Sequence, residues 1–270
     1  MIKAAVLGSP IAHSLSPLLH NAAYEALGIE GEYSAIEIQG SSLVDFLDQS
    51  LNQGWDGFNL TMPLKESVFD SGAVTFDESA TRIKSANTLL RGEDGFEATS
   101  TDMTAFARLL SDVCVDRTAI IGGGGTSRAA IGALADRATS IDLILRTPGR
   151  ADMARAIAPK VSFEVKGMDS ALSGYDLVIN TTPAGAADHF APHLTDVSAL
   201  YFESLYSPWP TELLFTWKEL GGATLNGVDL LVEQALDAIA LITGKDFDYD
   251  HMRSRLLAVA IERVSSQSSD

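Results

Sequence analysis

Hydrophobic residues in the first hundred positions come in short runs separated by glycine or polar turns, and their period changes from run to run. The run 3–7 (KAAVL) is apolar enough for a buried strand and stops at Gly8. Pro17 suits the first turn of a helix, and the run 18–27 predicts that helix, ended by Gly28. Positions 33–38 alternate as a strand, 41–53 read as a helix capped by Ser41 or Ser42, and 57–60 is a short strand. A helix at 78–83 and a hairpin of 88–91 with 95–98, turning at Glu93 and Asp94, complete this part.

A helix at 104–110 leads into a second series. It reads strand 118–121, helix 126–137, strand 141–145, helix 151–157, strand 161–165, helix about 169–173, strand 176–179, strand 199–203, helix about 211–219 and strand 223–225. Strands such as LIL and LVI are apolar throughout, as a sheet covered on both faces requires. Two further helices, 228–243 and 250–264, and a polar tail at 265–270 that should fray, end the chain. The pattern predicts an α/β protein of two domains. An N-terminal α/β domain spans 1–102 and is completed by the C-terminal helices at about 244–265. A doubly wound, Rossmann-type domain with linking helices spans 103–243.

The second domain carries the clearest chemistry. Residues Thr118–Arg128 read TAIIGGGGTSR, an apolar strand running through four glycines into a helix. Gly122, Gly124, Gly125 and Thr126 are positioned to offer backbone N–H groups to a pyrophosphate at a helix N-terminus. The net charge of −17 excludes nucleic acid and anionic membrane as partners, so basic residues beside a motif carry extra weight. Arg146, Thr147 and Arg150 stand at or just beyond the end of the next strand, where arginine accommodates a ribose 2′-phosphate. Asp142, near the spacing of an acidic residue that would select NAD, falls at the start of that strand. The cofactor reading is therefore NADP. The lone Cys114, set among apolar residues, predicts a buried structural thiol, no disulfide and a reducing cytoplasm. No metal-ligand cluster, signal peptide or membrane-spanning run stands out.

The first domain places three loops at strand ends: Gly8–Pro17, Asn59–Lys65 and Ser100–Asp102. Ser14 and Ser16, ahead of a helix N-terminus, suit a carboxylate. Taken singly, Lys65 reads as a surface lysine and Asp102 as the N-cap of the helix from about Thr104. Together the segments GSPIAHSLSPLLHN, NLTMPLK, Ser85–Thr88, Ser100–Asp102, GGGGTSRA, Asn180–Gly185, Tyr206–Thr211 and Asn226 through Gln234 form an ordered set. That set resembles the shikimate dehydrogenase family over about residues 4–260.

The resemblance implies reversible, NADP-dependent reduction of 3-dehydroshikimate to shikimate by a cytoplasmic monomer or homodimer. It implies Lys65 and Asp102 as the catalytic pair. Ser14 and Ser16 would bind the substrate carboxylate, Thr61, Asn87 and Gln234 its hydroxyls, and Tyr206 would lie near it. Thr181, Gly227 and Leu230 would serve the cofactor, and His13 and His20 would be structural hydrogen-bonders. Ser100 stands where the family pattern has Asn, Leu145 where it has Asn, Glu203 where it has Asp and Leu230 where it has Met. A paralogue acting on quinate or an aminated shikimate with NAD, and a non-catalytic dinucleotide sensor, are the competing readings.

Overall fold

In the computed structural model, which describes residues 1–267, the apolar run at the N-terminus forms β1 (Ile2–Gly8), an inner strand of a first sheet. It pairs in parallel with β2 (Gly31–Glu37) on one side and β3 (Gly57–Leu60) on the other. The hairpin β5 (Thr88–Arg91) and β6 (Phe96–Thr99) adds antiparallel to β3, and β4 (Val74–Phe76) closes the edge, giving the order β2-β1-β3-β5-β6-β4. Strand β4 has no counterpart in the sequence pattern. It is three residues long with only Val74 buried, too short for an alternation to register. Helices α1 (Ser16–Ala26), α2 (Leu43–Ser50), α3 (Leu64–Ser67) and α4 (Glu78–Ile83) connect these strands, and α5 (Thr101–Leu109) follows the last of them. Leu7, Leu43, Leu47, Phe58, Leu64 and Phe96 pack into the core on one side of the sheet.

The second sheet is wholly parallel. It runs β12-β11-β10-β7-β8-β9, built from β7 (Arg117–Ile121), β8 (Ser140–Ile144), β9 (Ser162–Lys166), β10 (Leu177–Asn180), β11 (Leu200–Glu203) and β12 (Thr224–Leu225). Counted from its own first strand the order is 3-2-1-4-5-6, the doubly wound arrangement, with the direction of winding reversing between β7 and β10. Helices α6 (Gly125–Leu134), α7 (Ala151–Ile157) and α8 (Glu212–Glu219) belong to this unit. The helix expected at 169–173 does not form. Both the N–H and the hydroxyl of Ser170 bond the Gly167 carbonyl, closing a turn instead.

Two long helices follow, α9 (Gly227–Thr243) and α10 (Tyr249–Gln267). Residues 265–267 are helical where fraying was expected, and the rest of that tail lies outside the described residues. The chain divides into two units, Met1–Thr104 with Leu231–Glu262, and Ala105–Leu230 with 263–267. The first unit thus takes in most of α9, which the sequence pattern assigned to the second domain. From Leu231 onward the polar residues of α9 bond within the first unit: Gln234 to Asn87, Asp237 to Thr104, and Glu233 to Tyr249 and Arg253 of α10. Cys114 is exposed, contrary to the expected burial: between Leu110 and β7 only Val115 is buried. No helix among the described residues is long and apolar enough to cross a membrane.

His20 departs from its expected hydrogen-bonding role. It is fully buried, stacks on Tyr33 with ring centroids 3.8 Å apart, and neither ring nitrogen has a hydrogen-bond partner among the described residues. His13 is exposed. Burial pushes the His20 pKa from 6.5 down to about 3, so the folded protein holds the ring neutral. The unfolded chain binds a proton there below about 6.5, and stability is therefore lost as pH falls through the window from 6.5 to about 3. The stability of wild type relative to His20→Phe should drop by about 2 kcal/mol between pH 7 and pH 5, at about 1.4 kcal/mol per pH unit below the unfolded pKa. Denaturant titrations of both proteins at the two pH values measure this. A pH-independent difference would mean that His20 is not held neutral by burial.

Candidate active site

Gly8 ends β1 where the chain must pass close to the loop after β3. A Cβ at Gly8 would stand 2.4 Å from the Thr61 methyl, so only glycine lets the two loops lie side by side. This brings the Gly8–Pro17 loop next to Thr61. The Ser16 N–H donates to Ser14 Oγ (3.3 Å), which fixes the serine pair at the start of α1. Thr61 is tied to β1 by its backbone, its N–H donating to the Leu7 carbonyl (2.9 Å).

Lys65 lies in the first turn of α3, four residues after Thr61, and its ammonium reaches across to α5. Nζ donates to Asp102 Oδ2 at 2.6 Å. The side chains are 18% and 7% exposed, so this is a largely desolvated ion pair and neither residue is the surface group its local sequence suggests. Asp102 is inside the first turn of α5 and is not its N-cap. Ser100 occupies the capping position instead, its Oγ accepting from the Met103 N–H (3.3 Å). The serine found where the family pattern has Asn therefore has a structural job, starting the helix that carries Asp102.

Asn87 joins the pair from the end of the loop before β5. Its Nδ2 lies 3.0 Å from Asp102 Oδ1, 2.8 Å from Thr101 Oγ1 and 3.4 Å from Gln234 Oε1, and its Oδ1 accepts from the Asp102 N–H (3.2 Å). Gln234 is anchored to α9 through Nε2, which donates to the Leu231 carbonyl (2.8 Å). Lys65, Asn87, Asp102 and Gln234 thus form one connected group in the first unit, with Asp102 held on both oxygens and at its backbone. Such a group can hold an ammonium in place beside a reacting oxygen and orient neighbouring hydroxyls.

The remaining sequence-assigned residues fall in the second unit. Gly122 follows β7 with φ of 112°, and a Cβ there would stand 2.5 Å from Thr181 Oγ1. Thr181 in turn bonds the Ile121 carbonyl from its Oγ1 (2.9 Å), fastening the loop after β10 to the glycine loop after β7. Both loops lie at the point where the winding of the sheet reverses, the ordinary ligand position of such sheets. Helix α6 starts at Gly125, and its N-cap residue is Gly124, which has no side chain to cap it. Ser127, in place of a third glycine, donates its hydroxyl to the Gly122 carbonyl (2.9 Å) and pins the loop to the helix.

Arg146, Thr147 and Arg150 are exposed beyond β8, and Arg150 Nη1 approaches the Gly123 carbonyl (3.4 Å). Asp142 is drawn away from any ribose role. It pairs with Lys166 Nζ (2.8 Å) and accepts from the Tyr175 hydroxyl (2.8 Å). Tyr206 is half-buried in the loop after β11, while Gly227 and Leu230 are buried at the start of α9. A helix start preceded by glycine, a Gly122 position with no room for a Cβ and the Arg150 guanidinium beside the loop fit a dinucleotide bearing a 2′-phosphate. Among the described residues no cluster of three or more His, Cys, Asp or Glu could hold a metal ion.

Residues 6–89 match the family model described as the shikimate dehydrogenase substrate binding domain. A shikimate dehydrogenase (NADP(+)) of Methanococcoides burtonii is 32% identical over 262 residues, covering 94% of this chain and 96% of that protein. The chain belongs to the shikimate dehydrogenase family. The crystal structure of the Mycobacterium tuberculosis shikimate dehydrogenase superposes with a TM-score of 0.85 at 31% identity, covering 96% of this chain and 99% of that one. The Thermus thermophilus shikimate 5-dehydrogenase, solved in complex with shikimate, gives a TM-score of 0.85 at 29% identity, covering 98% of this chain and 100% of that one. The two-domain α/β architecture expected from the sequence is the architecture of this family.

Sequence reading missed two groups of residues around these sites. Tyr33, Thr88 and Thr101 lie behind Asn87 and Asp102 and belong to strands and helices whose pattern marks them only as buried or alternating. Glu203, recorded only as a departure from the family pattern, is fully buried and gathers five hydrogen bonds at the end of β11.

Proposed function

We propose that the chain is an NADP-dependent shikimate dehydrogenase, reversibly reducing 3-dehydroshikimate to shikimate with Lys65 and Asp102 as its catalytic pair. The observation that carries this reading is the 2.6 Å Lys65–Asp102 pair held by Asn87 and Gln234. Carbonyl reduction requires a hydride at carbon and a proton at oxygen. NADPH, when bound, supplies the hydride. The Lys65 ammonium sits against the carbonyl oxygen, stabilises the alkoxide as charge develops and delivers the proton. Asp102 keeps the lysine in that position and accepts a hydrogen bond from a ring hydroxyl. Ser14 and Ser16 hold the substrate carboxylate with hydroxyl and N–H donors at the start of α1. Thr61, Asn87 and Gln234 bond the remaining hydroxyls, and Arg146 and Arg150 clamp the 2′-phosphate by paired N–H donors.

Initial rates at 340 nm, pairing shikimate and quinate each with NADP⁺ and NAD⁺, test the proposal. Strong turnover is expected with shikimate and NADP⁺ and little with the other three pairings. Preference for quinate would overturn the substrate assignment, and preference for NAD⁺ the role given to Arg146 and Arg150. No turnover in any pairing would leave a dinucleotide-binding protein without this activity.

A further inference from the structure

Behind Asn87 and Asp102 a line of polar side chains crosses the core of the first unit. Tyr33 on β2 donates its hydroxyl to Asn59 Oδ1 on β3 (2.6 Å). Asn59 Nδ2 donates to Thr88 Oγ1 on β5 (2.9 Å) and to the Asn87 carbonyl (3.2 Å). Asn59 and Thr88 are direct partners across the antiparallel β3–β5 pair, so the strand register sets this contact. Thr88 Oγ1 lies 3.0 Å from Thr101 Oγ1, a contact in which either hydroxyl can donate, and Thr101 Oγ1 accepts from Asn87 Nδ2 (2.8 Å). Tyr33, Asn59, Thr88, Asn87, Thr101 and Asp102 are all at least 95% buried.

The far end of this line is fixed by residues that the substrate chemistry does not use. Asn21 bonds both backbone groups of Tyr33, its Nδ2 donating to the carbonyl (2.8 Å) and its Oδ1 accepting from the N–H (3.0 Å). His20 stacks on the Tyr33 ring. The last two residues of the GSPIAHSLSPLLHN segment therefore converge on one tyrosine, by backbone and by ring. A buried polar chain costs desolvation at every member unless each is paired, and this one is paired from end to end. It leaves the Asn87 amide a single favourable orientation, with Oδ1 toward the Asp102 N–H and Nδ2 toward the Asp102 carboxylate.

We propose that Tyr33, Asn59 and Thr88 form a buried strut, locked by His20 and Asn21, that positions Asn87 and Asp102 and through them Lys65. These are positioning residues, which act through Asn87 and Asp102. The kinetic part of the proposal rests on the dehydrogenase reading. Tyr33→Phe keeps the stacked ring and the backbone bonds to Asn21 and removes only the hydroxyl. Thr88→Val keeps the shape of the side chain. Each is expected to lower kcat about 5–10-fold, the equivalent of one buried hydrogen bond, with substrate KM changed less than about 2-fold. The double variant should be little worse than either single one, because both cut the same chain. Tyr24→Phe removes another buried hydroxyl beside His20, one with no hydrogen-bond partner among the described residues, and should leave kcat unchanged.

A second readout needs no substrate. The rate at which trinitrobenzenesulfonate modifies Lys65, followed by peptide mass spectrometry, should rise several-fold in Tyr33→Phe and Thr88→Val and stay at the wild-type value in Tyr24→Phe. Wild-type kcat and labelling in the first two variants would overturn the strut, as would an equal response in Tyr24→Phe or an effect confined to KM. If wild type turns over no substrate pairing, the dehydrogenase reading fails and the labelling rates alone decide the strut.

Discussion

Lys65→Ala is expected to lower kcat by about 10²–10⁴-fold while leaving NADPH affinity nearly unchanged. The ammonium is the only group of the connected set that combines a positive charge with a transferable proton, since Asn87 and Gln234 are neutral and Asp102 is an acceptor. Its removal takes away stabilisation of the developing alkoxide and the proton source in one step. Lys65→Arg should not restore the rate. A planar guanidinium held at 2.6 Å from Asp102 cannot occupy the space of a tetrahedral ammonium, and it does not release a proton near neutral pH. Steady-state rates with shikimate and NADP⁺, together with NADPH titration by fluorescence, separate the two effects. Activity equal to wild type in Lys65→Ala would remove the lysine from the mechanism. A matching loss of NADPH binding would show a structural failure and not a chemical one.

The second large effect is expected at Glu203. Its carboxylate is fully buried and accepts from Asn180 Nδ2 (3.2 and 3.0 Å), the Tyr201 hydroxyl (2.8 Å), the Thr211 hydroxyl (2.9 Å) and the Leu205 N–H (3.1 Å). Thr211 also caps α8, its Oγ1 accepting from the Leu214 N–H. One side chain therefore ties together the ends of β10 and β11 and the start of α8. Glu203→Ala leaves these donors without an acceptor, each worth about 1–3 kcal/mol when buried, and water entering the space left by the side chain recovers part of the loss. A net destabilisation of about 3–5 kcal/mol is expected, lowering Tm by about 11–18 °C for a unit of this size. Because Asn180 precedes Thr181, the KM for NADP⁺ should rise more than that for shikimate. Glu203→Asp, the residue usual in the family, keeps the charge but withdraws it by one methylene, so an intermediate loss is expected. A thermal melt of Glu203→Ala at the wild-type Tm would show that these donors find other partners.

Much of this molecule was legible before any coordinates. The apolar runs 4–7, 119–121 and 177–179 became parts of inner strands because strands covered on both faces have no polar side to display. The glycine loop was legible because a run of glycines marks close backbone approach, and at Gly122 a Cβ would run into Thr181. Errors fell where local pattern carries little information. Strand β4 owes its existence to β6, the segment 169–173 was claimed by a turn, and Cys114 kept apolar neighbours in sequence without sharing their burial.

The sequence by itself determined most of the strands and helices, the place of the glycine loop between β7 and α6, and the family, because these rest on periodicity, on glycine sterics and on motifs read in order. Only the tertiary structure decided what the polar residues do. Lys65 looked like a surface lysine and Asp102 like a helix cap until two elements 37 residues apart brought them to 2.6 Å. Tyr33, Asn59 and Thr88 became a line because of sheet register, and Glu203 became a hub because three segment ends meet around it. A polar side chain takes its role from the partner it finds when water is excluded. That partner is set by packing across the fold, which no local stretch of sequence contains.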